Sequence, residues 1–248
     1  MAEENKTKTP KKTETKVSKK PEAKKTVEKK VVKPKKIQPK VNPFEKNISQ
    51  LKLFGRWDTS SIQVMDPGLK RYINLNPIHV PTTMGRFTEK QFWKSKKPII
   101  ERLMIRLFVT GHAGKKHKRS SGRFTGTKTN AYNTMIETLS IVEEKTKQNP
   151  IEVVIRAIEA AAPREGITTI EYGGVRYPKA VDLSPQRRID LALRWLTQGA
   201  YQKTFGSKGK KKIAQTLADQ LISTMNFEQD SIAFQKKFDL ERQAQSAR

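Results

Sequence analysis

Two consecutive glycines, Gly173 and Gly174, constrain this chain more than any other pair of residues. They sit between two stretches in which apolar and polar side chains alternate, ITTIEY and VRYPKAV. Glycine accepts the positive φ that tight hairpin turns need, so the pair predicts a two-residue turn between two antiparallel strands over residues 167–181. A two-residue turn also fixes the register: Tyr172 opposes Val175, Glu171 opposes Arg176, and Ile170 opposes Tyr177. Alternation then places Ile170, Tyr172, Val175 and Tyr177 on one face and Thr169, Glu171 and Arg176 on the other. Pro178 has no N–H to donate, which keeps the second strand out of the middle of a wide sheet. No third strand signal flanks the pair. A lone ribbon is marginal in water, so it needs either its own helices or a partner to lie against, and the sequence leaves both open.

The ribbon runs into a helix start. Ser184 stands at the capping position and Pro185 at the first helical position. Arg187 and Arg188 follow in the first turn, where the positive end of the helix dipole disfavours cations. Two arginines there point to an anionic partner, against the alternative of a solvated basic surface.

The rest of the chain reads as helices. Ile100, Leu103, Met104, Leu107 and Phe108 recur at helical spacing after Pro98, with Arg102 and Arg106 on another face and Gly111 as the stop. A loop over 111–128, rich in Lys, Arg and Gly, separates this helix from a second one carrying Tyr132, Met135, Ile136, Leu139 and Val142. Asn149-Pro150 ends the second helix and starts the third, with Glu152 completing a pattern like a capping box. Ile151, Val154, Ile155 and Ile158 form the third stripe, and Pro163 stops it. A fourth helix, about 185–200, presents Ile189, Ala192, Leu193, Trp195 and Leu196. A fifth, after the lysines of 208–212, presents Ile213, Leu217, Leu221, Ile222 and Met225. A sixth runs from about Asp230 to the end, with Ile232, Phe238 and Leu240 as candidate contacts. The expected fold is mainly α: about six helices in a bundle with one protruding β-hairpin. Each apolar stripe is a core face rather than a cofactor site.

Before the first helix, residues 46–92 carry Pro67, Pro77, Pro81, Gly55, Gly68 and Gly85 at spacings too close for a long element. Asp66-Pro67-Gly68 reads as a turn. Leu53, Phe54, Trp57, Ile62, Val64, Leu69, Tyr72 and Ile73 are too apolar for a free linker, so this segment is expected to pack on the body as an irregular extension. Residues 1–45 differ again. The first forty contain 15 Lys and 5 Glu, with no Arg and no aromatic residue. That composition cannot bury enough apolar surface to fold, and it predicts a disordered basic arm.

Charge bounds the function. The chain of 248 residues has 51 Lys+Arg against 24 Asp+Glu, a formal net charge of +27. Such a balance implies a polyanionic partner, nucleic acid ahead of membrane. With no cysteine, there is no disulfide framework, thiolate metal site or thiol nucleophile. No apolar run approaches the ~20 residues of a membrane span, and the N-terminal stretch lacks a signal-peptide core. A soluble intracellular protein is expected. Motifs that carry chemistry are largely missing from the sequence. GSKGKKK at Gly206 has neither the spacing nor the strand of a phosphate-binding loop, and no G-x-G-x-x-G is present. His112 and His117 lie among lysines without a carboxylate, His79 stands alone between prolines, and no Ser, His and Asp suggest a triad. No enzyme activity, cofactor, metal or small-molecule substrate is expected. GHAG at 111–114 matches a G-x-x-G backbone clamp only superficially, because flanking strands are missing. A helix-turn-helix DNA reader is a stronger rival, but the bridge between the first two helices is far too long for it. Basic residues are scattered over several elements, which suits a protein gripped on several sides by folded RNA.

Several blocks of residues, in order, carry a resemblance. PIIERL at Pro98, NPIEVVIRAIEAAAPRE at Asn149, the ribbon closing in AVDLSPQRR, and RRIDLALRWL…IAQTLADQLI resemble the universal small-subunit ribosomal protein seven family. KLFGRW…DPGLKRYINL and the terminal LERQAQSAR are similar to its archaeal and eukaryotic branch. The resemblance covers roughly residues 50 to 248. It leaves out the arm, and the 111–128 loop looks expanded against the family pattern. It implies that residues 93–248 form a helical rRNA-binding domain with a protruding hairpin. It further implies a structural, cytoplasmic constituent of the small ribosomal subunit that binds the head domain of its rRNA and starts head assembly. The hairpin tip (Glu171, Tyr172, Gly173, Gly174, Val175, Arg176) would line the mRNA exit beside exit-site tRNA, near other head proteins and the platform protein of family eleven. The rRNA-facing residues it implies are Lys94, Lys96, Lys97, Arg102, Lys115, Lys116, Lys118, Arg119, Arg123, Lys128, Arg164, Arg187, Arg188 and Arg194. The rival class is a DNA-binding or chromatin-like basic protein, which the same polycationic arm would serve.

Overall fold

A computed structural model describes residues 51–108, 127–207 and 210–248 of the chain. The basic arm, and the loop 111–128 apart from its last two residues, lie outside the described residues, as does Gly111, the expected stop of the first long helix. Among the described residues seven helices and one hairpin follow in order: α1 (Pro67–Lys70), α2 (Ile99–Leu107), α3 (Lys128–Thr146), α4 (Pro150–Ala161), β1 (Glu165–Tyr172), β2 (Val175–Asp182), α5 (Pro185–Gly206), α6 (Ile213–Met225) and α7 (Ile232–Ser246). A single 3-10 turn spans Trp93–Lys96. The architecture is mainly helical with one two-stranded antiparallel ribbon, as the patterning predicts.

The core assembles around α6, which touches α3, α4, α5 and α7. Leu217, Ala218 and Leu221 are fully buried there, against Met135, Leu139, Ile155, Ile158, Ile189, Leu193 and Leu196. Small residues let the helix backbones approach. A Cβ on Gly199 of α5 would stand 2.6 Å from Gln220 Oε1 on α6 and 3.2 Å from Ile232 Cβ on α7. Gly199 therefore sits where three helices meet, a role that helical spacing does not reveal.

The extension is woven into this core. Leu53, Phe54, Trp57, Ile62, Leu69 and Ile73 are buried in the same cluster. Trp57 Nε1 donates to Glu143 Oε2 on α3 at 2.8 Å, and Asn149 Nδ2 donates to the Asp58 carbonyl at 2.7 Å. Phe54 stacks edge-on against Tyr132 at 5.0 Å. The expected turn at Asp66-Pro67-Gly68 instead opens the four-residue helix α1: Asp66 caps it by accepting from Gly68 N at 2.8 Å, and Pro67 occupies the first helical position.

Local signals fare unevenly at the helix ends. Asn149 caps α4, accepting from Ile151 N at 3.1 Å. Glu152, expected to complete a capping box, pairs with Arg156 at 3.4 Å instead. Ser184 occupies the capping position of α5, but its side chain makes no capping bond. That helix runs on to Gly206, a turn and a half past the expected end. In α7 the fully buried contacts are Ala233 and Ala244, whereas Phe238 is exposed, because the helix is held by its small face against the hairpin base and α5.

Register in the ribbon matches the two-residue turn: Ile170 opposes Tyr177, Glu171 opposes Arg176 and Tyr172 opposes Val175. The strands run to Glu165 and Asp182, slightly beyond the expected 167–181. The base is pinned. Gly166 is buried against Leu183 with no room for a Cβ (2.9 Å). Ala180 N donates to the Ala247 carbonyl at 3.2 Å, and Arg248 pairs with Glu165. From Thr168 outward both strands are exposed, so among the described residues no helix covers the tip.

Candidate nucleic-acid interface

Positive charge here has two fates, and the first turn of α5 shows both. Arg188 is only 9% exposed. Its Nε donates to the Pro163 carbonyl at 3.0 Å and its Nη2 to Asp66 Oδ2 at 2.7 Å. Burial alone would raise the Asp66 carboxyl, but the Arg188 hydrogen bond and the Gly68 N–H outweigh it and hold it below the usual carboxylate range. Arg188 thus ties the extension to the hairpin base. Its neighbour Arg187 points outward, exposed, and forms no ion pair with a described residue. The adjacent pair splits into one internal brace and one free cation.

A second constellation surrounds Asp190, three residues on from Arg187. Arg102, 6% exposed on α2, donates to Asp190 Oδ1 at 3.1 Å and to the Tyr72 carbonyl at 3.2 Å. Arg106 approaches the same oxygen at 3.5 Å, and Lys94 bonds the other oxygen. Burial pushes the Asp190 carboxyl up, and Lys94 together with Arg102 more than reverses that, leaving it depressed. Burial draws the Arg102 pKa down, opposed by Asp190. Three cations converge on one carboxylate, so the cluster keeps an excess of two positive charges. Lys94 and Arg106 carry that excess to the surface, with side chains 49% and 34% exposed. On α5, Arg187 and Arg194 flank Asp190 at three and four residues, hence on the same helix face. Arg194 is exposed and, like Arg187, has no ion pair with a described residue.

Two expected phosphate ligands must therefore be corrected. Arg102 and Arg188 are buried braces, each guanidinium held by two protein oxygens, so neither stands at the surface as an open phosphate ligand. The reason is the same for both: the sequence shows their charge but not the distant carboxylates, Asp190 and Asp66, that claim it.

The remaining expected residues that the structure describes are at or near the surface. Lys96 is exposed and its ammonium lies 4.4 Å over the Trp93 ring, which Lys90 also approaches at 5.2 Å. Lys97 is half-buried and Lys128 is exposed at the start of α3. Arg164 is exposed, its backbone N–H held by Glu241 Oε1 at 2.9 Å. Lys115, Lys116, Lys118, Arg119 and Arg123 lie outside the described residues. Beside Arg194 and Arg164, two cations were not foreseen. Lys236 is drawn to lower pKa by burial and by Arg194. Lys237 is drawn down by burial while its Nζ donates to the Ala160 carbonyl at 2.8 Å. The adjacent lysines in a weakly patterned helix were the only available signal. At the hairpin tip, Tyr172 is 81% exposed, and Glu171 and Arg176 form an exposed ion pair at 3.4 Å. Among the described residues no cluster of His, Asp or Glu could hold a metal, and no helix is long and apolar enough to cross a membrane.

The profile of the family described as Ribosomal protein S7p/S5e matches residues 69–248. The chain belongs to this family. It is similar to the small ribosomal subunit protein uS7 of Nanoarchaeum equitans, 52% identical over 200 residues that cover 80% of this chain and all of the relative. It is also 45% identical to the protein of that name from Methanosphaera stadtmanae over 196 residues, 79% of this chain and 98% of the relative. The protein of Archaeoglobus fulgidus is 44% identical over 199 residues, 80% and 96% of the two chains. The resemblance read from the sequence blocks is thus borne out, and the S7p/S5e family is one of ribosomal proteins and not of enzymes.

Proposed function

We propose that this S7p/S5e protein is a structural constituent of the small ribosomal subunit, working in the cytoplasm, and that it binds the head domain of small-subunit rRNA and nucleates head assembly. The observation that carries the reading is the over-compensated cluster around Asp190: one carboxylate faces Lys94, Arg102 and Arg106 and is flanked by Arg187 and Arg194, which pair with no described residue. A surface that holds more cations than its own anions can neutralise is built for an external polyanion. Lys94, Lys96, Lys97, Lys128, Arg164, Arg187 and Arg194 contact phosphates in this reading, with Arg106 added to them. Arg102 and Arg188 hold the frame. The loop residues Lys115, Lys116, Lys118, Arg119 and Arg123 are phosphate ligands as well in this reading.

The hairpin serves a separate role. Its pinned base and uncovered tip, with Tyr172 and Val175 exposed, fit a probe that reaches away from the helical body. It lines the mRNA exit beside exit-site tRNA and meets the platform protein of family eleven, and neighbouring head proteins contact the body.

Binding of the full chain to a head-domain rRNA fragment, a scrambled RNA of equal length and duplex DNA, across a salt series, tests the first role. All three weaken with salt, with a log–log slope of roughly −0.7 to −0.9 per phosphate contact. The rRNA fragment stays bound at salt that releases the other two. If all three fall together, the charge is generic and the DNA-binding alternative takes over.

A further inference from the structure

An open cleft of about 700 Å³ lies between the extension and the turn that precedes α2. Arg71, Arg86 and Lys96 line it, and none of its lining residues is a carboxylate. Arg71 and Arg86 are exposed and make no ion pair with a described residue. Lys96 is seated against the Trp93 ring at 4.4 Å. Phe87 forms part of the wall and is itself held edge-on by Trp93, with ring centroids 6.4 Å apart. This differs from the Asp190 cluster, where cations share an internal anion. Here the cations have none, and an aromatic ring stands among them.

The cleft is also pre-shaped. Its rim at Thr83 is anchored by two bonds to the buried Glu101: Thr83 N at 3.0 Å and Thr83 Oγ1 at 2.7 Å, both to Oε1. The rim then turns sharply through Met84 and Gly85, both at positive φ. The back wall is fixed by Ile99 N donating to the Asn74 carbonyl at 3.1 Å and by the Asn74 side chain donating to the Lys96 carbonyl. A cavity of this size matches a small ligand, within the usual ~300–1,000 Å³ range.

We infer that this cleft seats a single unstacked nucleotide of RNA, its base against Phe87 and its flanking phosphates on Arg71, Arg86 and Lys96. The inference rests on the rRNA-binding reading and sharpens it: phosphate contacts elsewhere are blind to base and to strandedness, whereas this cleft requires a base pulled out of its stack. Aromatic stacking is tolerant of base identity, so the cleft selects single-stranded geometry more than sequence.

The test uses the full chain, a penta-uridylate, the same oligomer with its central base removed, and an RNA duplex, with the head-domain rRNA fragment measured in parallel. The intact oligomer binds about tenfold tighter than the abasic one, the worth of one stacked base, and the duplex does not compete for that difference. Phe87→Leu, which keeps apolar bulk against Trp93, erases the preference. Arg86→Gln, a change at an exposed position, weakens both oligomers alike and keeps the preference. Equal binding of the two oligomers overturns the inference, and so does a preference that Phe87→Leu leaves intact. A cleft that instead receives a neighbouring protein gives equal binding together with no effect of Arg86→Gln, which also overturns it. If the rRNA fragment binds specifically while the oligomers do not differ, only the nucleotide seat falls. If the fragment binds no better than scrambled RNA, the underlying rRNA reading falls first.

Discussion

The helical body and the hairpin treat side chains in opposite ways. In the body, most of the apolar stripe residues are buried or half-buried, and even arginines such as Arg102 and Arg188 are drawn inside against Asp190 and Asp66. In the hairpin, from Thr168 outward, apolar and charged side chains alike stay in solvent. Body residues are fixed by what the protein itself supplies; hairpin residues beyond the base have only each other. The difference separates positions that define the fold from positions the fold leaves uncommitted.

The largest contrast lies within a single dipeptide. Arg188→Glu leaves Asp66 and the Pro163 carbonyl facing a buried negative charge and costs about 3–5 kcal/mol, the usual range for breaking a buried pair. Urea unfolding monitored by tryptophan fluorescence measures it. Arg187→Glu changes stability by less than about 0.5 kcal/mol, as expected at an exposed position, and lowers rRNA affinity. Equal loss of stability in the two variants breaks the comparison.

A similar contrast holds for apolar residues. Leu193→Ala opens a cavity in a fully buried site on α5 and costs about 3 kcal/mol. Tyr172→Ala, at a residue 81% exposed, leaves the unfolding midpoint nearly unchanged. A large effect of Tyr172→Ala on the isolated protein would show that the tip packs on the body in solution.

Sequence patterning reached the helices, the hairpin and its register, because each is a local regularity: period 3.6, period 2, and a glycine pair. It failed where the deciding partner is remote. The lone charge of Arg188 gives no hint of Asp66, 122 positions away, and Arg102 gives none of Asp190. Gly199 looks like a weak point in a helix until Gln220 and Ile232 are seen against it. The outward cations Arg187 and Arg194 were legible as charge, but which of two adjacent arginines would stay free was not. The cleft at Phe87 was invisible, because its cations come from three separate segments.

Acid titration sharpens the same division at smaller cost. Asp66 and Asp190 have folded-state pKa values depressed below their ordinary values by Arg188 and by Lys94 with Arg102. A depressed carboxyl contributes stability that is complete above its unfolded pKa of about 3.9 and is lost as pH falls through the lower folded value. The urea midpoint therefore declines below about pH 4. Asp190→Asn lowers the plateau and flattens the decline, because one of the coupled protons is gone. An acid limb that Asp190→Asn leaves unchanged breaks this reading.

The smallest effect is the most informative about the tip. Glu171 and Arg176 face each other across the ribbon at 3.4 Å, with side chains 60% and 75% exposed. Cross-strand pairs in such positions are worth little, because water screens the charges and two long side chains must be ordered to meet. Replacing both by Ala shifts stability by less than about 0.5 kcal/mol. Removing residues 170–177 and closing the strands with a new turn likewise spares the body, whose ties to the ribbon among the described residues lie at its base: Gly166 against Leu183, Ala180 to Ala247, and Arg248 to Glu165. In the proposed division of labour, the shortened chain keeps its affinity for the head rRNA fragment while assembled subunits lose contacts beside the mRNA exit. Hydroxyl-radical footprinting of subunits carrying each form reads both at once. Loss of rRNA binding on removing the tip would mean that the hairpin and the body share one interface, and that the exposed face of Ile170, Tyr172, Val175 and Tyr177 belongs to it.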